Sequence, residues 1–168
     1  LDDKTVQEAV TAKIVTIGKA LLFPSVIDSL GDRGNGLSSE VWWSPNHPFS
    51  SSLTGASAKD LAEGYVTATG RPWTQPIGFK HALFEVVADV VKRAADLEDA
   101  SAIVAAIAAT KLNTIVGPHD WSTGPINNVT KTPLVGGQWQ REGDRFDLKI
   151  VANSAAPNIP KTGELLLL

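Results

Sequence analysis

The chain has 168 residues, of which 43% are hydrophobic and 20% charged, and a formal net charge of −3. This length supports one domain with a sizeable core, and the weak acidic charge gives no reason to expect nucleic acid as a partner. The lack of cysteine excludes disulfides, thiol catalysis and thiolate metal sites. No apolar run approaches the ~20 residues that a membrane span needs.

The start of the chain does not look like a natural start. Residues 1–4 are neither an initiator nor the basic beginning of a signal peptide, and the sequence contains no methionine. We therefore expect a processed chain, with a signal peptide removed, or a fragment. A bacterial envelope protein without disulfides would have this composition.

Strands and helices alternate in the first half of the sequence. The predicted elements are a strand over 13–18, a helix over 22–30, a strand over 37–43 and a helix over 57–69. The first strand is an apolar, β-branched run closed by Gly18, which is typical of a buried parallel strand. Pro24 suits the first turn of its helix. Ser57 can cap the next helix, and Gly70 ends it.

The second half is richer in helix and ends in a hairpin. The predicted elements are an irregular link over 71–78, a helix over 80–95, a helix from Asp99 or Ser101 to Thr110, a strand over 114–116, and strands over 134–139 and 146–151. Apolar residues at helical spacing indicate the helix over 80–95. The last two strands form a hairpin across 142–144. This order favours α/β layers with a mixed sheet, as part of a larger arrangement.

Four segments carry a resemblance to a known family. They are KIVTIGKAL, EVWWSPNHPF, YVTATGRPWTQPIGFKHALFEVVADVVKRA and LNTIVGPHDW. Their order and spacing over residues 13–153 resemble the C-terminal half of the type I periplasmic solute-binding proteins, the branched-chain amino-acid-binding family of ABC transporters. Family members have about twice as many residues, consistent with two domains.

The resemblance implies a periplasmic-binding-protein-like type I fold, with parts of two Rossmann-like lobes, each of three α/β/α layers, joined by hinge strands. Residues 1–42 would be part of lobe two and residues 43–134 part of lobe one. Residues 135–168 would return to lobe two and form the C-terminal tail. The hinge crossings would lie near 43–45 and 133–136, and the missing remainder of the chain would be a partner.

The function that this resemblance implies is non-enzymatic capture of a small organic solute in the cleft between the lobes. Closure of the cleft would be followed by delivery to the membrane permease of an ABC importer. The protein would be periplasmic or extracellular, with a lipoprotein form compatible. No cofactor, metal or nucleic acid is expected.

Lys19 and Ala20 are the first candidate ligand-binding residues. They follow a predicted strand at its carboxyl end, where open α/β sheets bind their ligands. In amino-acid binders of the family, an acidic residue at the matching position holds the ammonium group of the ligand. Lys19 would reverse this preference and favour a carboxylate or another acceptor. The expected solute is a carboxylate or an aromatic acid rather than a free α-amino acid. The alternative is a solvated lysine at a strand end, since lysines are mostly exposed.

Aromatic residues provide further candidates, because aromatic walls suit organic solutes. Trp43 and Trp73 are expected to line the cleft. Pro76 stands where relatives often carry a cleft aromatic, so Trp73 or Phe79 would replace that contact. His47 lies beside the expected hinge. Core packing is the alternative for one of the two adjacent tryptophans, because strand alternation places them on opposite faces.

Two other functions remain as alternatives. A ligand-sensing regulator would use the same two-lobed fold without a signal peptide. An α/β hydrolase-like enzyme would use His47 or His81, but no serine lies in a GxSxG turn, and no histidine pair has the HExxH spacing of a metal site.

Overall fold

Four α-helices, one 3-10 helix and five strands form the part of the chain that the structure, a computed structural model, describes, residues 12–168. In chain order these are α1 (Pro24–Leu30), the 3-10 helix (Gly31–Gly34), β1 (Ser38–Val41), α2 (Ala58–Thr69), α3 (Gln75–Arg93), α4 (Ala100–Ala108), β2 (Lys111–Thr114), β3 (Gly117–Asp120), β4 (Val135–Glu142) and β5 (Arg145–Ala152). None of these helices is long and apolar enough to span a membrane.

The larger sheet has the strand order β1-β4-β5, and both pairings are antiparallel. The predicted hairpin is confirmed, with a tight turn at Gly143, whose φ is 64°. The predicted strand over 13–18 is shorter in the structure. It is an extended segment that makes one parallel bridge, between Thr16 and Ser38. Two backbone hydrogen bonds of 2.9 Å flank that bridge, Ile17 to Ser38 and Ser38 to Val15.

Large aliphatic side chains and one indole form the core under this sheet, which we call the sheet core. Its buried members are Leu21, Ile27, Leu37, Val41, Val135, Trp139, Leu148, Ile150, Ala156 and Ile159. The Trp139 Nε1 donates to the Leu21 carbonyl at 3.0 Å. The C-terminal tail runs beside β5, because Thr162 N donates to the Ile150 carbonyl at 2.9 Å and Thr162 Oγ1 accepts from Ile150 N at 2.8 Å. The chain therefore closes this core with its own tail.

Helices α2 and α3, the segment after β1 and the turn between β2 and β3 form a second buried cluster, which we call the helical core. Its members are Trp43, Ala58, Ala62, Ala82, Ile115 and Val116. The predicted ends of α2 are confirmed. Ser57 Oγ accepts from Asp60 N at 3.1 Å, Asp60 bonds back to Ser57, and Gly70 ends the helix in the left-handed region at φ 67°.

Two predicted boundaries in this part are wrong. Helix α3 begins at Gln75 rather than at residue 80. The sequence predicts an irregular link that includes Pro76, yet a proline fits the first helical turn, where no N–H group is needed. Of the predicted strand over 114–116, Thr114 is the last residue of β2, while Ile115 and Val116 form the turn of the hairpin and are fully buried there. Their apolar character reflects a buried turn and not a strand.

The sequence allows α4 to begin at either Asp99 or Ser101. In the structure Asp99 caps the helix, because its carboxylate accepts from Ser101 N at 2.8 Å.

The described strands form two separate sheets, β1-β4-β5 and β2-β3. The division into lobes at residues 43 and 135 stays a prediction.

Candidate functional site

The Lys19 loop leaves the sheet at the carboxyl end of the bridged segment. Lys19 has a φ of 47°, in the left-handed region that side-chain-bearing residues rarely adopt. Its backbone N–H donates to Oε1 of Glu40 at 2.9 Å. The side chains of Lys19 and Ala20 are exposed. The Glu40 carboxylate therefore holds a loop that presents Lys19 to solvent.

Glu40 and Gln75 connect this loop to the beginning of α3. The fully buried Gln75 side chain donates from Nε2 to the Glu40 carbonyl at 3.1 Å and accepts from Trp42 N at 2.7 Å. Its amide thus continues the hydrogen-bonding pattern of β1 beyond the end of the strand. Sequence reasoning missed both roles, since a single amide or carboxylate between aromatic residues carries no motif.

Two aromatic pairs meet at the first turns of α3. Trp43 is fully buried, and a Cβ at Gly78 would overlap its ring, so the glycine allows the helix to lie against the indole. Trp73 meets Trp43 edge-on, with ring centroids 6.1 Å apart and an interplanar angle of 83°. The structure places Trp43 in the helical core and leaves Trp73 half-buried at its margin.

Phe79 and Pro76 lie on the same part of α3, and both are half-buried. Phe79 meets Trp42 edge-on, with ring centroids 6.0 Å apart. Trp42 follows β1 directly, while Pro76 belongs to the first turn of the helix. The structure therefore brings the predicted aromatic candidates close to the Gln75 bridge, at a helix start that the sequence did not predict.

His47 is only 4% exposed. Its Nδ1 accepts the Ser44 N–H at 3.1 Å, and burial lowers its pKa from 6.5 to about 4. The imidazole is consequently neutral near pH 7. It holds a buried turn and packs against Phe49, at a centroid distance of 6.2 Å. A ligand contact of His47 stays a prediction.

Two open cavities share the indole of Trp73. The first has a volume of about 490 Å³ and is lined by Pro45, Asn46, Lys59, Ala62, Glu63, Val66, Thr67 and Trp73. The second, of about 440 Å³, extends from Trp73 to Phe146 and Asp147 on β5. Trp73 is therefore the predicted aromatic that has both a cavity beside it and exposed ring surface.

A serine–histidine pair lies apart from these residues. Ser51 Oγ is 2.7 Å from His81 Nε2, a distance suited to a nucleophile and its base. The same Oγ accepts N–H bonds from Leu53 and Thr54, both at 3.1 Å, and Ser51 is 4% exposed. Both lone pairs of the hydroxyl thus accept hydrogen bonds within a buried turn. This arrangement stabilises the turn and does not present the hydroxyl to a substrate.

Within residues 12–168, no group of three or more acidic or histidine side chains is placed to hold a metal ion.

Comparison with known proteins gives a consistent result at the level of fold. A leucine-binding protein of Thermotoga maritima superposes with a TM-score of 0.64 at 19% identity, over 90% of this chain and 40% of its own. A solute-binding protein of an ABC transporter from Rhodopseudomonas palustris BisB5, in complex with 3,4-dihydroxybenzoic acid, gives 0.63 at 16% identity, over 83% and 36%. The chain has part of a periplasmic-binding-protein-like type I fold.

A further R. palustris solute-binding protein of an ABC transporter, in complex with benzoate, gives a TM-score of 0.53 at 15% identity, over 84% of this chain and 35% of its own. No protein-family model and no curated protein matches the sequence. The chain spans 40% or less of the length of these three structures, so it contains only part of the arrangement that they share.

Proposed function

We propose that this chain is part of a non-enzymatic solute-binding protein, which captures a small organic acid in a cleft and delivers it to the permease of an ABC importer. The support is the shared fold of neighbours that are named for, or hold, leucine, 3,4-dihydroxybenzoate and benzoate. Under this proposal the protein acts in the periplasm or outside the cell.

The observation that carries this proposal is the Lys19 loop. It lies at the carboxyl end of a parallel pair, where α/β sheets bind ligands, and its ammonium group is on an exposed side chain. An ammonium group pairs with a carboxylate. A second cation placed about 4 Å from Lys19 would instead be repelled by roughly 4 kcal/mol at an effective dielectric near 20. A carboxylate is therefore the solute group assigned to Lys19.

The path of the chain between the two cores supports a hinge near residue 43. Val41 belongs to the sheet core, whereas Trp43 belongs to the helical core. On the return, Val116 lies in the helical core and Val135 in the sheet core. The proposed crossing at 43–45 begins at Trp43, where the chain enters the helical core, and the proposed crossing at 133–136 includes Val135, where it re-enters the sheet core. Closure of the two parts over a solute would bend the chain there.

Calorimetric titration with benzoate, 3,4-dihydroxybenzoate and leucine tests the proposal. We expect at least one carboxylate to bind, and Lys19→Ala to weaken it about tenfold or more, the usual effect of losing a charged hydrogen bond. Lys92→Ala removes an equally exposed ammonium from the far end of α3 and should leave the affinity unchanged. Absence of binding by all three solutes, or binding indifferent to Lys19→Ala, would contradict the proposal.

A further inference from the structure

Trp73 packs against both buried cores of the protein. Its half-buried indole contacts the sheet core and the helical core. On the helical side it meets the fully buried Trp43 edge-on, with ring centroids 6.1 Å apart. The strongest contacts of helices α2, α3 and α4 are with one another and with β2. The indole therefore makes a connection between the two cores that the packing of the regular elements does not emphasise.

The connection lies away from the places where the chain itself passes between the cores. Val41 and Val135 are paired at one end of the larger sheet, beside the two proposed crossings. The cavity next to Trp73 extends instead to Arg145 and Phe146, at the hairpin end of the same sheet. A contact at the end opposite to a pair of crossings restrains bending about them more than a contact beside them does.

A short link presents the indole. Gly70 ends α2 at a φ of 67°, and α3 begins at Gln75, so only residues 71–74 connect the two helices. Pro72 directly precedes Trp73, and its ring fixes its own φ, which stiffens the link. The indole consequently moves together with α2 and α3.

Open space on two sides weakens the hold of this side chain. Cavities of about 490 Å³ and 440 Å³ both border Trp73 and Val66. A side chain inside a close-packed core has neighbours on all sides, whereas one that borders cavities lacks part of those dispersion contacts. The contact of Trp73 with the sheet core can therefore open without unfolding either core.

We infer that Trp73 is a latch between the two cores. Its indole holds them in the arrangement seen here, and it leaves the sheet core when the two parts move apart. Trp73 is in this role a positioning residue, which acts on the arrangement of the parts and needs no contact with a solute. The inference rests on the proposed function for the use of this movement, because capture in a cleft requires the parts to open and close.

Distances between pairs of spin labels test the latch without any solute. The sequence contains no cysteine, so two introduced cysteines carry the only labels. Lys92→Cys on α3 with Asp144→Cys in the β4–β5 turn reports the distance between the two parts. Ser154→Cys with Asp144→Cys reports a distance beside the sheet core alone. All three positions are exposed. Both pairs are measured in the unsubstituted protein, in Trp73→Ala and in Phe79→Ala.

We expect Trp73→Ala to broaden the distribution of distances between residues 92 and 144 at least about twofold, because the arrangement seen here loses population to others. The distribution between residues 144 and 154 should stay unchanged. Phe79→Ala also removes a half-buried ring, but this ring packs against the helical core and Trp42. It should leave both distributions unchanged.

Trp73→Leu keeps an apolar side chain beside Trp43 but is too short to bridge the cores. It should broaden the same distribution, and it decides the question if Trp73→Ala unfolds. Unfolding of both variants, seen by circular dichroism and by loss of the distance between residues 144 and 154, would overturn the inference. Trp73 would then be part of one shared core and not a latch.

Two further results would overturn the inference. One is an unchanged distribution between residues 92 and 144 in folded Trp73→Ala, or in Trp73→Leu where Trp73→Ala is unfolded. The other is an equal broadening in Phe79→Ala. Each leaves the proposed function standing, since the titrations with solutes test it separately. Absence of solute binding together with broadening in Trp73→Ala would overturn the proposed function and keep the latch.

Discussion

The sheet core is packed from large aliphatic side chains, whereas the helical core gathers three alanines around the single indole of Trp43. The tail of the chain covers the sheet core. On the helical side, Phe84 and Val87 of α3 and Val104 of α4 are 64%, 49% and 63% exposed. The helices thus divide their apolar side chains between a small core and the surface.

This difference shows where each region obtains its stability. In the sheet core, eight leucine, isoleucine and valine side chains share the burial with Ala156 and the indole of Trp139. In the helical core, one indole and two buried polar side chains, Gln75 and Glu85, connect the elements. We therefore expect the helical region to depend strongly on Trp43, Gln75 and Glu85, whereas the stability of the sheet region is shared among more side chains.

Replacement of Trp43 gives the largest expected effect. Trp43→Ala should lower the free energy of unfolding by about 3–5 kcal/mol, because a fully buried indole leaves a cavity between α3 and its neighbours. Ile150→Ala in the sheet core, also a truncation to alanine at a fully buried position, should cost about 2–5 kcal/mol. Denaturant unfolding followed by circular dichroism measures both. Phe84→Ala, at an exposed position on α3, is the aromatic control, and an equal loss there would break the comparison.

Removal of the Glu85 carboxylate should come next. Glu85 is 1% exposed and accepts from Ile115 N at 3.0 Å, from Ser52 Oγ at 2.8 Å and from Ser52 N. Glu85→Ala leaves these donors without a partner, which should cost about 2–4 kcal/mol. The same measurement on Glu63→Ala, at an exposed site in α2, should show a change below about 0.5 kcal/mol. A loss of unfolding free energy in Glu85→Ala as small as that in Glu63→Ala would show that packing alone holds the buried turn at Ile115.

The pH dependence of stability should carry the signature of His47. Burial lowers the pKa of His47 to about 4 in the folded protein, against 6.5 for an ordinary histidine. As the pH falls through 6.5, the unfolded chain binds a proton at this site that the folded protein does not bind. Stability is therefore lost with falling pH, by about 2 kcal/mol between pH 8 and pH 5 from this group.

His47→Asn removes this titration and keeps an acceptor near the Ser44 N–H. The unfolding free energies of both proteins, measured between pH 8 and pH 5, isolate the contribution of His47 to the pH dependence. The carboxylates contribute equally in the two proteins, so their effect cancels in the comparison. We expect the pH slope of the variant to be smaller. An identical slope would show that water reaches the imidazole in the folded protein.

The smallest effect concerns helix capping within the helical region. Ser57→Ala removes the hydroxyl that accepts the Asp60 N–H and should cost about 1 kcal/mol. Thr74 occupies the equivalent position before α3 but makes no capping bond with its side chain. Thr74→Ala should therefore change the midpoint of thermal unfolding less than Ser57→Ala does. The reverse order would contradict the capping geometry.

The sequence predicts those elements of the fold that depend on neighbouring residues alone. The β4–β5 hairpin, the ends of α2 at Ser57 and Gly70, and the helical character of α3 each depend on residues within one turn or one face. The resemblance to solute-binding proteins rests on the order of such segments, and the fold agrees with it. The beginning of α3 at Gln75 is not predicted, because Pro76 fits either a link or a first turn.

Long-range contacts could not be predicted. Gln75 bonds to β1 across more than thirty positions, and Glu85 reaches the buried turn at Ile115 across 30. Glu40 meets the Lys19 backbone across 21. Each is a single polar residue without a motif, and its partner depends on packing that periodicity does not encode. The contact between the Lys19 loop and Glu40 therefore could not be predicted from the sequence.

The central claim is that a solute binds where the Lys19 loop meets the end of β1. Hydrogen exchange measured by mass spectrometry tests it most directly, because backbone amides that a solute protects exchange more slowly. The exchange is compared with and without whichever of benzoate, 3,4-dihydroxybenzoate and leucine binds most tightly. We expect slower exchange in peptides covering residues 18–22 and 38–43. Unchanged exchange in those peptides, with protection confined to residues 59–67 beside the Trp73 cavity, would contradict it.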